Sequence, residues 1–339
     1  MFRSLQRQGI PVSVAQRIFS IPTLISLALA VALLIFLVLR FDIDLSETWQ
    51  QIRSGNPWLL ALAVIIHYTT FIFRGTRWRV LLQNAQGQDR RPPGVLYCGE
   101  LLLLGWFANS VAWFRLGDAY RAHLYQQERQ ESFSRTVGTI VSERALDTVL
   151  VVALLLVSVP FIVSQESTSP WIVVGIALVL LTILALALVV IGKSGDRLHR
   201  LLPGWLAERF RFFQEGVIGS FGRIRLVTLL GLLGWLAEVA RLYLVTLALG
   251  IPLSLALIVF ITLANSLLTL VPTPGGVGAV ESGLAGLLVR ISSLAASGAA
   301  ALVLVDRSIS YLSIILTGGV FFLTRQAYRR RGANNRWVD

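Results

Sequence analysis

Apolar runs close to twenty residues long recur along this chain, and a run of that length is what a helix needs to cross the roughly 30 Å hydrocarbon core of a bilayer. Six stand out, at about 22 to 39, 57 to 73, 137 to 160, 171 to 191, 226 to 249 and 299 to 323. Two further apolar stretches, 95 to 113 and 252 to 290, do not resolve into simple crossings. With 55% hydrophobic and only 14% charged residues, the chain is far from an ordinary soluble domain, which carries about 25% charged residues. It reads as an all-α integral membrane protein, a single transmembrane domain over residues 1 to 339. The single cysteine, Cys98, has no partner for an internal disulfide.

Charge then sets the expected topology. The net charge is +12, yet Lys193 is the sole lysine among thirty basic residues and the arginines are spread over loops, so a membrane-facing bias fits better than a nucleic-acid partner. Arg-rich stretches are the N-terminus (Arg3, Arg7, Arg17), 74 to 94, 114 to 136, 192 to 225 and the tail 325 to 339, all expected to be cytoplasmic. Loops 40 to 56, 161 to 170 and 250 to 252 carry two, zero and zero basic residues and are expected outside. No small-residue cleavage site marks the first run as a signal peptide, so it is read as a retained helix. Both termini are placed in the cytoplasm and the protein in the plasma or inner membrane. The stretch 95 to 113 then leaves and returns on the cytoplasmic face, while 252 to 290 starts outside and either dips from that face or crosses twice.

These two opposed stretches share features that suggest an inverted repeat. Phe107-Ala108-Asn109-Ser110 matches Leu263-Ala264-Asn265-Ser266, and each is followed by a helix with an acid-arginine pair, Glu143-Arg144 or Asp306-Arg307. Arg77-Trp78-Arg79-Val80-Leu81 precedes the first and Arg241-Leu242-Tyr243-Leu244-Val245 the second. The expected architecture is about six full transmembrane helices plus two re-entrant or broken segments, with repeat 1 over 22 to 160 and repeat 2 over 171 to 323. Interrupted helices at matching positions of inverted repeats point to a transporter with a midplane site. The segment 196 to 225, with arginines among Trp205, Phe210, Phe212 and Phe213, is expected to lie in the cytoplasmic interface and join the repeats.

Charges inside the apolar runs narrow the site. Glu100, Glu143, Arg144, Asp147, Glu238, Arg241, Glu281, Asp306 and Arg307 lie in or beside such runs. Exposed to lipid they would cost on the order of 20 to 30 kcal/mol together, more than a typical domain's stability. They must face inward and largely pair. Glu143 and Asp147 share a helix face, with Arg144 and Arg241 as candidate partners, and Glu238 and Arg241 are spaced to pair on another. Such a network can lock the bundle, bind an anionic headgroup through guanidinium groups, or both. Arg115, Asp118 and Arg121 would share one face of a helix starting there. Residues 272 to 281, Pro-Thr-Pro-Gly-Gly-Val-Gly-Ala-Val-Glu, stop a helix at Pro272 and Pro274 and allow positive φ at Gly275, Gly276 and Gly278. A half-helix restarting near Val277 would hold Glu281 in its first turns, beside N-H groups that favour an anion and carbonyls that favour a cation.

The Asn109 to Arg121 pattern, the Ser142 to Asp147 run, the 272 to 281 string and Asp306-Arg307-x-x-x-Tyr311 together resemble the lysylphosphatidylglycerol synthase transmembrane (flippase-like) family. The likeness covers about residues 20 to 325, and the proline-glycine string is its most specific part. Members include the flippase region of bacterial multiple-peptide-resistance proteins and archaeal proteins linked to lipid-linked glycan assembly. The resemblance implies handling of a phospholipid or lipid-linked sugar by Asn109, Arg115, Asp118, Arg121, Glu143, Arg144, Asp147, Glu238, Arg241, Asn265, Pro272, Pro274, Gly275, Gly276, Glu281, Asp306, Arg307 and Tyr311. Only fourteen residues follow residue 325, so an aminoacyl-transferase domain is not expected on this chain. No proline follows Asn109 until Pro160, which leaves the first break unplaced.

The expected function is a flippase that moves such a lipid between leaflets, with no cofactor and no metal. His67, His123 and His199 lack metal-ligand spacing, and no nucleophile-base set is apparent, although Glu143 and Asp147 could do acid-base work in a membrane-embedded enzyme. A subunit serving a separate synthase is the other alternative. Gly231-x-x-Gly234 would suit close helix contacts, internal or between copies.

Overall fold

The computed structural model describes residues 44–86, 92–112, 116–163, 170–193, 203–269, 271, 273–292 and 294–334. The expected first span, Arg115 and Pro272 lie outside these residues. The described chain is helical from end to end, in the order α1 (Leu45–Ser54), α2 (Pro57–Gln86), α3 (Val95–Val111), α4 (Gly117–Arg129), α5 (Phe133–Val163), α6 (Pro170–Lys193), α7 (Gly204–Gly219), α8 (Ile224–Ala248), α9 (Leu255–Leu268), α10 (Ala279–Ser292), α11 (Ala296–Arg307) and α12 (Ser313–Asn334). A 3-10 turn joins α7 to α8, another sits between α9 and α10, and a π turn, Ser308–Leu312, carries α11 into α12.

Three continuous helical stretches among the described residues are long and apolar enough to cross a membrane: Pro57–Gln86, Gly204–Ala248 and Ala296–Ala327. They contain the expected runs at 57 to 73, 226 to 249 and 299 to 323. The runs at 137 to 160 and 171 to 191 fall on α5 and α6. In contrast, α3, α9 and α10 have 17, 14 and 14 residues, or about 21 to 26 Å at 1.5 Å per residue, short of the bilayer core. These short helices coincide with the two stretches that the sequence left unresolved as crossings.

Two expected loops are helices. The external loop 40 to 56 contains α1, whose start is capped by the Asp44 carboxylate accepting from the Ser46 and Glu47 amides at 2.8 and 3.0 Å. The cytoplasmic loop beginning at residue 74 is instead the second half of α2, with Arg74, Arg77 and Trp78 buried. Charge counting assigned those arginines to a flank because it cannot see that they point inward. Of the segment expected at the interface, 204–219 is α7, which packs on α5 and runs through the 3-10 turn into α8.

The longest packed seam runs between α2 and α8. One apolar core joins Ala63 of α2, Val239 and Val245 of α8, Ile258 of α9, Leu284 of α10 and Leu302 of α11. A second joins Trp78 and Leu81 of α2, Leu101 of α3, Tyr125 of α4 and Val227 of α8. Outward-facing Ile65, Ile72, Leu186, Leu229, Leu236, Leu316 and Val320 are exposed, an apolar exterior that suits lipid and would be an aggregation hazard in water. The contact of α3 with α4 requires Gly117, where a Cβ would strike the Gly105 carbonyl and the Asn109 side chain.

Candidate functional site

Both helix breaks open onto one cavity of about 610 Å³ inside the bundle. The first break lies between α3 and α4. There Asn109 stays on the last turn of α3 and its Oδ1 accepts from the Gly117 amide at 2.7 Å, so the side chain spans the gap and fixes the start of α4. The second break lies between α9 and α10, where Gly275, Gly276 and Gly278 have φ of 60, 73 and 85°, a region that side-chain-bearing residues rarely adopt. The chain resumes as α10 with Glu281 in its first turn, and a Glu281 oxygen accepts from the Gly278 amide at 2.6 Å. That contact satisfies one of the free N-H groups of a helix start.

The cavity wall is contributed by nearly every helix around it. Arg74 and His67 come from α2, Trp106, Asn109 and Ser110 from α3, Asp118 from α4, and Arg144 and Asp147 from α5. Facing them are Trp235, Glu238 and Arg241 of α8, Thr262 and Asn265 of α9, Gly275 of the second break, Arg307 of α11, and Ser310 and Tyr311 of the π turn. Along α5 the lining changes character. Arg144, Asp147 and Thr148 give way to Val151, Val152 and Leu155, which extend the same face by about 12 Å from Asp147. Leu267 and Ile314 continue the apolar part.

The ionic side chains form two networks. In the first, Arg77 donates to Asp147 at 2.7 and 3.1 Å and to Glu143 at 3.2 Å. Arg121 donates to the other Glu143 oxygen at 3.0 Å, and Arg144 makes a two-pronged contact with Asp118 at 2.9 and 3.0 Å. Arg74 reaches Asp147 at 3.5 Å, beyond a strong hydrogen bond, and lies over the rings of Trp235 and Trp106 at 5.1 and 5.6 Å. In the second network Arg241 bridges Glu238, at 3.1 Å, and Asp306. Arg307 donates to Glu281 at 2.7 Å and to the Gly275 carbonyl at 2.8 Å while stacking on Tyr311 at 4.4 Å. Tyr311 in turn donates to the Ser110 carbonyl at 3.1 Å, tying the end of α3 to a ring that packs against Gly275 of the second break.

Among the described residues joined by these ion pairs, the first network sets four guanidinium groups against three carboxylates. The second sets two against three. The first network therefore carries a surplus positive charge and the second a surplus negative charge, and the two adjoin where Arg74 lies over Trp235, one turn from Glu238.

Ten of the residues that the sequence singled out line the cavity: Asn109, Asp118, Arg144, Asp147, Glu238, Arg241, Asn265, Gly275, Arg307 and Tyr311. Arg121, Glu143, Glu281 and Asp306 are buried behind it, Glu281 and Asp306 as partners of the lining Arg307 and Arg241 and Glu143 as a partner of Arg121 and Arg77, and Pro274 and Gly276 shape the break without lining the cavity. The expected pairing of Glu143 and Asp147 with Arg144 and Arg241 needs correction. Their main partners are Arg77 and Arg121, because α2 and α4 lie nearer to α5 than the relevant part of α8 does; Arg144 reaches Asp147 only at 3.7 Å. The expected Glu238–Arg241 pair is present. His67, Arg74, Arg77, Trp106 and Trp235 went unnoticed as site residues. Their signal was positional: His67, Arg74, Arg77 and Trp78 repeat at helical spacing along one face of α2. Among the described residues no group of three His, Cys, Asp or Glu side chains could hold a metal ion.

Comparison with known proteins gives the matching family. A model of the lysylphosphatidylglycerol synthase TM region matches residues 23–318. A UPF0104 membrane protein of Methanocaldococcus jannaschii is 33% identical over 64% of this chain and 93% of its own length. Another, from Methanothermobacter thermautotrophicus, is 26% identical over 86% of this chain and 91% of its own. The glycosyltransferase AglD of Haloferax volcanii is 23% identical over 91% of this chain but only 54% of its own length.

Proposed function

The chain belongs to the lysylphosphatidylglycerol synthase TM region family, and from that membership and the cavity we propose that it moves a phospholipid or lipid-linked sugar between membrane leaflets. The observation that carries this reading is the lining of α5, charged at Arg144 and Asp147 and apolar from Val151 to Leu155. A lipid has the same division, a polar head that hydrogen-bonds with guanidinium groups and a chain that prefers aliphatic contact. A soluble anion would need no such apolar wall.

The proposal includes an inverted repeat, residues 22 to 160 and 171 to 323, with its two broken helices meeting at the midplane and both termini in the cytoplasm. The Tyr311 contact with Ser110 supports it by linking the end of α3 to a ring that packs against Gly275 of the second break. Movement of one half against the other would expose the cavity to alternate leaflets. The site residues act as headgroup ligands (Arg74, Arg144 and Arg307) and as their anchors (Asp118, Asp147 and Glu281).

A second reading is a lipid-holding subunit for glycan or lipid modification. It is favoured by AglD, a glycosyltransferase by name, in which the likeness occupies about half of the protein. Reconstitution in liposomes with a leaflet-specific lipid readout separates the two. Transport predicts lipid movement by the chain alone and its loss in Arg144→Ala. If the intact chain moves no lipid while a glycosyltransferase requires its presence, the subunit reading replaces it.

A further inference from the structure

His67 is completely buried in α2 and neither ring nitrogen has a hydrogen-bond partner. Its Nδ1 lies 3.7 Å from Oε1 of Glu238, too far for a hydrogen bond, and that oxygen also has no partner. The other Glu238 oxygen accepts from Arg241. Both residues border the cavity. Buried polar atoms are nearly always bonded, and a proton on the ring would let these two partners satisfy each other.

Resting on the lipid-transport reading above, we propose that His67 and Glu238 form a proton site, and that one proton taken up there accompanies each anionic lipid phosphate bound beside it at Arg74, two turns along the same helix. Histidine is the side chain that changes charge between about pH 5 and 8. A proton from water, added to the ring, makes both nitrogens donors and turns Glu238 Oε1 into an ion-pair partner. It also cancels the surplus negative charge of the second wall. The surplus positive charge of the first wall, where Arg74 has only a long contact to Asp147, is then left for a phosphate. When the lipid leaves, the proton returns to water.

Tyr68, Phe71 and Trp106 pack against the ring, and the charged groups lining the same cavity come from several helices. The α8 helix presents Glu238 and Arg241, α5 presents Asp147 and Arg144, and α4 presents Asp118. Arg307 of α11 and Tyr311 of the π turn complete the far side, and Arg74 is two turns along the same helix as His67. The lining residues of α3 and α9 are aromatic, amide, hydroxyl or apolar and carry no charge. Glu238 is the carboxylate placed against the imidazole.

The linkage has a definite sign. Because the protonated form favours the anion, lipid binding is tight at low pH and weakens as pH rises, by at most about tenfold per pH unit for one proton. Titration calorimetry of the full chain with dihexanoyl-phosphatidylglycerol, in buffers of different ionisation enthalpy, counts the protons. Uptake should peak at about one per lipid, whereas zwitterionic dihexanoyl-phosphatidylcholine, which carries its own cation, should take up none. His67→Gln should bind the anionic lipid weakly at every pH, and Glu238→Gln, lacking the surplus negative charge, tightly at every pH. A purely structural role would weaken both variants alike and overturns the proposal. Anionic lipid bound by the intact chain without proton uptake also overturns it while leaving the transport reading intact. If the intact chain neither binds nor moves any lipid, that reading fails and this one with it.

Discussion

The two walls of the cavity are made from the same residue types and hold together differently. On the first wall, four arginines and three acids come from the regular faces of α2, α4 and α5, and each acid touches more than one arginine. On the second wall the charges gather around interruptions: Glu281 at the restart of α10, Arg307 on the Gly275 carbonyl, Arg241 on Asp306 beside the π turn. Charges shared among regular helices clamp those helices to one another. Charges placed on a break fix a backbone shape that the helix ladder cannot fix, so this wall has fewer bonds to hold it and more room to rearrange.

The largest expected effect tests the first wall as a clamp. Asp147 accepts from Arg77 and from the Trp235 indole and neighbours Arg74 and Arg144. Asp147→Asn leaves buried guanidinium groups without their counter-charge, a loss of roughly 3 to 5 kcal/mol, a large part of a typical domain's stability. Thermal unfolding in detergent should fall steeply, and monodisperse protein should be hard to recover. Glu281→Gln, which keeps an amide oxygen for the Gly278 amide, should cost visibly less. Equal losses would remove the distinction between clamp and break.

Gly275→Ala probes the second wall. Its φ of 60° and the Tyr311 ring, which an added Cβ would strike, both oppose the side chain. Overpacking and backbone strain each cost about 1 to 3 kcal/mol, so together they should lower the melting temperature by an amount comparable with that in Asp147→Asn. Because Arg307 binds the Gly275 carbonyl, the break should move, and limited proteolysis after residue 268 should quicken. A melting curve and cleavage pattern unchanged from the parent would show that this backbone is not held as described.

The sequence made the second wall legible and much of the first wall opaque, for a physical reason. Proline, glycine and an acid inside an apolar run can hardly be anything but a buried break, so Gly275, Glu281 and Asn265 stood out. Arg74 and Arg77 sit at the end of an apolar run, where arginine normally marks the membrane surface, and only the continuation of α2 to Gln86 shows them to be internal. Pairing across helices was equally hidden, since which arginine reaches Glu143 depends on how α2 and α4 pack on α5. Residues a helical turn apart, such as Glu238 and Arg241, needed no tertiary information.

Arg144→Ala should separate binding from folding. The side chain is 36% exposed to the cavity, and its main bond is to the part-exposed Asp118. An ion pair of that kind is worth up to about 1 kcal/mol, so the melting temperature should shift little. Removing one guanidinium from the positive wall should nevertheless weaken anionic lipid about tenfold or more, near 1.4 kcal/mol, and zwitterionic lipid less. A large loss of stability with unchanged lipid affinity would move Arg144 from ligand to clamp.

The smallest expected effect concerns the bond from the end of α3 to Tyr311, whose ring packs against the second break. Tyr311→Phe removes only the hydroxyl that donates to the Ser110 carbonyl, keeping the ring under Arg307. A neutral hydrogen bond contributes about 0.5 to 1.5 kcal/mol, so stability should fall by about that amount. If the breaks stay together throughout a transport cycle, the rate of lipid movement should change no more than stability does. If they part during the cycle, the bond exists in one state and not in the other, and its loss shifts the balance between them by up to about tenfold. Transport rate against melting temperature for this one variant therefore distinguishes a cavity with a fixed floor from one that opens between its walls.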